Sequence, residues 1–457
     1  MIVQRTVRRD TVVICVCLNR SDHHRGVIMR RGTARRRIAG TIAVALASVL
    51  ALAACTGSPD PEVEQPAQVE GGFPDETQAQ LEAAVTHAMG ATGSSGAIVG
   101  VWAPWSGSWV AGVGTQTPGG AAVSADMGFR AAQVTRPMTC DLLYSAVAQG
   151  LVELDDPVSE YVSGVADLDE VTLEQLCDGT SGIGSYAPQL SPLWTSNPSR
   201  VWNPRELASY GLGAPRLAEP GTAYQGTDAG YVLLGLALER ATGQSAAALI
   251  AERIAEPLGL SSTRLPSGAA AAPEASGGAL VGLQSFPGEG GALNCAEPRD
   301  MTDMSASIGF TDAGVVSDVD DLRIYAQALA SGATTPDAYA DDRFADAKPL
   351  SADGPSWMTA AGGALLIGSL VGNYGSVPGY ATAAFSDSVT GLTVVVVLNN
   401  SAAGGAPAGN LAWELAALAS KAPAASGQVV PEAGLPWTPQ QFHDAIAAGA
   451  VCTPPAA

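Results

Sequence analysis

The chain has 457 residues, 47% of them hydrophobic, and a formal charge of −21 at pH 7. Ten Arg against Asp10 and Asp22 put +8 on residues 1–54, so that removing this segment leaves −29 on the remainder. Such an acidic surface opposes binding to nucleic acid and attachment to anionic lipid by charge alone, and a remainder of roughly 400 residues can bury the core of one large α/β domain or two joined lobes.

In chain order, the first feature is a basic segment with Arg30, Arg31, Arg35, Arg36 and Arg37, followed by the apolar stretch Thr41 to Ala54 and the sequence Leu52-Ala53-Ala54-Cys55. Basic residues that stay in the cytoplasm, an apolar core too short to span a membrane comfortably and small residues before a cysteine make a lipoprotein export signal. The expectation is a signal peptide over residues 1–54 with Met29 as the true initiator, a lipid on Cys55, and a flexible, Pro-rich tether over residues 55–74. The protein would then be exported and lipid-anchored to the outer face of the bacterial cell membrane, with the lipid on Cys55 as its membrane contact. A transmembrane anchor is the rival reading, and the placement of Cys55 argues against it. Beyond it lie Cys140, Cys177, Cys295 and Cys452, an even number that suggests disulfides outside the membrane. Three connectivities are open; Cys140 with Cys177 and Cys295 with Cys452 is the preferred one. Their spacing is not that of metal ligands, and neither a metal nor a cofactor is expected.

Leu81, Ala84, Val85 and Ala88 predict a helix over Glu76 to Met89. Ala97 to Trp102 and Ser108 to Val113 read as paired strands joined at Pro104-Trp105-Ser106-Gly107. A helix follows from Gln133 to Leu151, with Pro137 tolerable in its first turn. A mostly helical middle includes Ala229 to Ala241, stopped by Thr242-Gly243, and Ala246 to Glu256, closed by Pro257-Leu258-Gly259. Ser267 to Gly278 reads as a flexible surface loop. Strand character returns at Ala364 to Ile367 and at Leu392 to Leu398, where four consecutive valines imply burial on both faces, and Asn410 to Ala419 reads as a closing helix. Strands from both ends would complete one antiparallel sheet, with the helical insertion as a second lobe and a cleft between. The expected domain spans residues 75–421, with a Pro/Ala-rich C-terminal extension over 422–457.

Several segments, in order, carry a family likeness: Phe129-Arg130, Gly150 to Val158, Val171-Thr172-Leu173 through Thr180-Ser181-Gly182, Pro220-Gly221-Thr222, Tyr231 to Gly235, and Gly375-Ser376-Val377-Pro378-Gly379-Tyr380. Over most of residues 75–420 the chain resembles the class C serine β-lactamases and the related DD-peptidases and esterases. The resemblance implies an α/β (α+β) fold of the β-lactamase/DD-peptidase type, an antiparallel sheet flanked by helices plus a mostly helical lobe. It also implies a serine nucleophile one helical turn before a lysine, so that hydroxyl and amine share a face. Here those positions hold Gln133 and Arg136, an amide and a guanidinium that stays protonated. The tyrosine and asparagine of the second motif correspond to Gly226 and Asp228, and the third motif reads Asn373-Tyr374-Gly375, with only Gly375 kept.

The inventory makes repair difficult. The chain has two lysines, Lys348 and Lys421, and beyond Cys55 two histidines, His87 and His443, none of them in a motif. Tyr224 reads as a packing residue. Two readings of the cleft remain: a disused pocket filled with neutral polar groups, or one that still binds, with Arg136 gripping a carboxylate or pairing with Asp228. The leading expectation is a catalytically inactive envelope lipoprotein that binds a ligand or partner, a cell-wall peptide or an envelope protein and not nucleic acid. Its rivals are an active serine hydrolase with a non-standard site, for which Thr135 and Ser181 are the nearby hydroxyls, and a substrate-binding lipoprotein feeding a transporter.

Overall fold

The computed structural model describes residues 67–164, 168–266, 268, 272–431 and 434–452. The expected signal peptide, Met29, Cys55 and the tether as far as residue 66 lie outside these residues, as do positions 267 and 269–271 of the expected loop.

The longer helices are α1 (Asp75–Thr92), α2 (Thr135–Ala148), α3 (Ala187–Ser196), α4 (Asp228–Thr242), the short α5 (Phe310–Ala313), α6 (Val319–Ala330), α7 (Ala406–Ala419) and α8 (Pro439–Ala448). The main sheet uses β1 (Gly96–Ala103), β2 (Gly107–Gly114), β3 (Lys348–Pro349), β4 (Met358–Ala361), β5 (Ala364–Ile367), β6 (Leu370–Val377), β7 (Tyr380–Asp387) and β8 (Thr393–Leu398). Their order across the sheet is β2-β1-β8-β7-β6-β5-β4-β3, every neighbouring pair antiparallel. The first and last strands of the described residues therefore meet, Ala97 opposite Leu398 and Trp102 opposite Thr393.

The valine run explains why the sheet is covered twice. Side chains alternate along a strand, so Val394 and Val396 enter a core with Leu81 and Val85 of α1 and Leu411 and Leu415 of α7. Val395 and Val397 enter the opposite core, with Leu322 and Tyr325 of α6 and Met138 of α2. Burying each such side chain contributes on the order of 1.5–3 kcal/mol, and no residue of β8 is left facing water.

Helix ends follow local chemistry. Gly93 and Gly243 take left-handed φ values of 70° and 73° and stop α1 and α4 by donating to Met89 and Glu239 carbonyls. Cys140 on α2 is bonded to Cys177, which fastens α2 to the helical lobe, and Cys295 is bonded to Cys452.

Two segments at the margins are more ordered than their composition suggests. Residues 67–74, expected within the tether, run along the β1–β2 hairpin: Gln68 donates to the Ala103 and Gly107 carbonyls, and Phe73 is buried. The helix expected to close the chain is followed by α8, which starts with proline in its first turn and sinks Phe442 and Ile446 into the core beside α7. Among the described residues no helix is long and apolar enough to cross a membrane.

Candidate active site

The start of α2 faces β6, and the residues that replace the three expected motifs gather there. A 3-10 turn, Ala132–Val134, feeds the helix, and Ala132 holds φ at 49°, a conformation that costs a residue with a side chain of order 1–3 kcal/mol. This strain directly precedes Gln133. The buried Thr135 hydroxyl supports the turn, donating to the Ala132 carbonyl (2.7 Å) and accepting from the Val315 N–H (3.1 Å).

Arg136, one turn on, is buried and held from every side. Its Nε donates to Asp312 Oδ1 at 2.8 Å and its Nη1 to the Gly226 carbonyl at 2.8 Å. The guanidinium lies over the Tyr231 ring, 4.7 Å from its centroid, with the Tyr224 hydroxyl nearby. Burial works to lower the Arg136 pKa, but the attraction of Asp312 outweighs it and holds the group above its ordinary value, so Arg136 stays charged. Burial pushes the Asp312 carboxyl up to about 6, with Arg136 pulling it back, and the pair is ionised at neutral pH. Asp312 also accepts weakly from the Tyr186 hydroxyl at 3.4 Å.

Gln133 lies hard against β6. A Cβ on Gly375 would fall 1.7 Å from Gln133 Oε1, so the glycine is what admits the amide. That Oε1 is buried without a hydrogen-bond partner. Gly226 is matched in the same way: its φ is 55°, and a Cβ there would lie 2.5 Å from the Tyr224 hydroxyl. Asn373, buried beside them, donates to the Gly363 carbonyl and accepts from the Tyr374 N–H. On this strand β5 pairs only with Leu370 to Gly372, so Asn373 ties down backbone beyond the paired stretch.

Gln133, Arg136, Gly226, Asn373 and Gly375 thus converge, but Asp228 does not join Arg136 as expected. Its carboxylate accepts from the Ser185 hydroxyl (2.5 Å) and from the N–H groups of Tyr186 (2.8 Å) and Ala187 (2.9 Å), at the N-terminus of α3. The unpaired amides of a helix start attract a carboxylate strongly, and Arg136 takes Asp312 instead. Asp312 went unnoticed in the sequence because 176 positions separate it from Arg136. Tyr224, read as packing, does pack against the core on the α7 side, and its hydroxyl also faces the guanidinium.

The hydroxyls and bases available for chemistry are elsewhere or closed off. Thr135 and Ser181 are both buried, and Ser181 accepts from the Ile183 N–H. Lys348 sits on β3 at the sheet's far edge and Lys421 is exposed beyond α7. His87 and His443 lie on the opposite face of the sheet, on α1 and α8. Cavities of about 200 and 240 Å³ lie apart from the cluster, one beside Leu142 and Arg253, the other beside Trp202 and Phe310.

The sequence profile of the family described as Beta-lactamase matches residues 81–419. Over 140 residues the chain is 32% identical to the D-alanyl-D-alanine-carboxypeptidase/endopeptidase AmpH of Escherichia coli (strain K12), covering 29% of this chain and 36% of that one. It is 34% identical over 149 residues to the esterase EstB of Burkholderia gladioli, covering 29% and 37% respectively. The matched stretch thus spans about a third of these relatives. Among solved structures, a D-stereospecific amidohydrolase from Streptomyces sp. superposes with a TM-score of 0.62 at 24% identity, covering 73% of this chain and 96% of that one. The D-amino acid amidase of Ochrobactrum anthropi SV3 gives 0.60 at 20% identity, covering 71% and 92%. These structures share the fold.

Proposed function

Because the chain belongs to the Beta-lactamase family, whose fold serves serine hydrolases, we propose that it is a catalytically inactive member, lipid-anchored through Cys55 at the outer face of the cell membrane and retained there for binding or scaffolding. The observation that carries this reading is the closed pairing of Arg136. A family nucleophile needs a hydroxyl beside a group that can take its proton. Here the hydroxyl position holds Gln133, and the base position holds a cation that Asp312 keeps protonated. The Gln133 amide fills the space against Gly375, and Tyr224 fills the space beside Gly226. Partner contacts accordingly belong to the surface of the domain rather than to this cleft, with cell-wall peptide or an envelope protein as the expected partner.

The names of the relatives favour a second reading, an active hydrolase with an unusual nucleophile. Burial of Thr135 and Ser181 weighs against it. A fluorophosphonate probe separates the two: the inactive protein stays unlabelled, whereas an active one is labelled and loses the label when one hydroxyl is replaced. Export and lipidation are tested by metabolic labelling with an alkyne fatty acid, which Cys55→Ala should abolish; labelling that survives the substitution removes the anchor from the account.

A further inference from the structure

Both histidines beyond Cys55 meet in the folded chain, although 356 positions separate them in sequence. His87 of α1 and His443 of α8 stack with ring centroids 3.7 Å apart, and Glu414 of α7 lies beneath them, its Oε1 3.0 Å from His443 Nδ1. One ligand atom from each of the three residues lies within 4.8 Å of the other two. We propose that His87, Glu414 and His443 form a binding site for one divalent transition-metal cation of the zinc type.

Two physical features support a cation here. Glu414 is only 4% exposed, yet its Oε2 has no hydrogen-bond partner, and His87 Nδ1 is likewise buried and unpartnered. Unpaired buried acceptors are costly, and a metal ion satisfies them together. Two imidazoles and a carboxylate suit zinc, nickel or copper rather than magnesium or calcium, which prefer oxygen throughout.

Coordination requires the two stacked rings, 16° from parallel, to turn so that a nitrogen lone pair of each meets at one point. Donor atoms sharing a metal at about 2.0–2.2 Å lie at most roughly 4 Å apart, slightly closer than the 4.8 Å limit of the cluster. His443 can supply the movement, since its side chain is 37% exposed while Glu414 is fixed inside. Three protein ligands leave a fourth position for water or a partner's side chain.

The location gives the site a task. α8 lies outside the stretch matched to the family, residues 81–419. It is secured by the Cys295–Cys452 disulfide, by Val451 N–H donating to the Ala91 carbonyl at 3.0 Å, and by Trp437 Nε1 donating to the Trp413 carbonyl at 3.0 Å. A metal on His87, Glu414 and His443 ties the same extension to α1 and α7 at a fourth point.

The test uses the untagged full-length chain, stripped with a chelator and titrated with Co²⁺. One equivalent should bind with visible absorption, Zn²⁺ should displace it, and Zn²⁺ should raise the melting temperature. His443→Gln and Glu414→Gln should each weaken binding at least tenfold, whereas His23→Ser with His24→Ser should leave it unchanged. His443 is partly exposed, so H443Q folds as the parent does, with circular dichroism as the check, and remains informative if E414Q does not fold. Absent binding, binding unchanged in H443Q, or binding lost with His23 and His24 would each overturn the site and leave His443–Glu414 as a simple hydrogen-bonded contact.

Discussion

Two polar clusters sit on opposite faces of the same sheet, and they are built differently. On the face of the helical lobe, Arg136 is enclosed by Asp312, the Gly226 carbonyl, Tyr231 and Tyr224, and Gln133 Oε1 alone lacks a partner. On the other face, His87 and Glu414 each keep a buried atom unpaired. A cluster that satisfies itself has little need of a ligand, whereas one with open acceptors gains from a cation. On the proposed reading, side chains of this chain close the family's site, and the C-terminal extension brings His443 to His87 and Glu414.

The largest effect expected from breaking the first cluster comes from Asp312→Asn. It leaves Arg136 buried without a counter-charge and should cost about 3–5 kcal/mol, read as a lower midpoint in chemical denaturation. A loss below about 1 kcal/mol would mean that the guanidinium finds water, and that the cluster is open. Next comes Gly375→Ala. Its methyl group would strike the Gln133 amide and the Gln133 Cβ 2.8 Å away and should cost about 1–3 kcal/mol; combining it with Gln133→Gly, which removes the whole side chain, should recover most of the loss. Without that recovery the amide is not what fills the space.

The smallest effect concerns pH. Burial raises Asp178 to about 6 against the Gly362 N–H bond at 2.7 Å, in the segment that runs on to Gly363 and the α2 backbone. Between about pH 4 and 6 the folded state keeps a proton that the unfolded state has released, so this group lowers stability as pH rises through that window. Asp178→Asn should flatten that part of the profile of melting temperature against pH. An unchanged slope would place the carboxyl in water.

Much of the scaffold was legible because its signals are local. The valine run of β8, the Pro104 to Gly107 turn and the glycine after α4 each follow from a few neighbouring residues, and the structure places them as strand, hairpin and helix stop. The ordered family landmarks likewise pointed to the fold that the family match and the solved structures bear out. Partner choice was less legible. Asp228 and Asp312 are equally plausible mates for Arg136 in sequence, and the choice depends on α3 beginning at Ala187, where Asp228 satisfies two backbone amides. The meeting of His87 with His443 depends on α8 folding back, which an Ala- and Pro-rich segment does not announce beyond the Thr438-Pro439 start. Local periodicity specifies elements, while contacts between distant side chains depend on how those elements pack.

The central claim is that the closed Arg136 cluster has ended acyl transfer. Incubating the purified protein with a fluorescent penicillin, beside turnover of a chromogenic cephalosporin, tests it most directly. The account predicts neither label nor turnover, in the parent and also in Gln133→Ser, because Arg136 beside Asp312 cannot accept the new hydroxyl's proton. Stoichiometric labelling of the parent protein would contradict it.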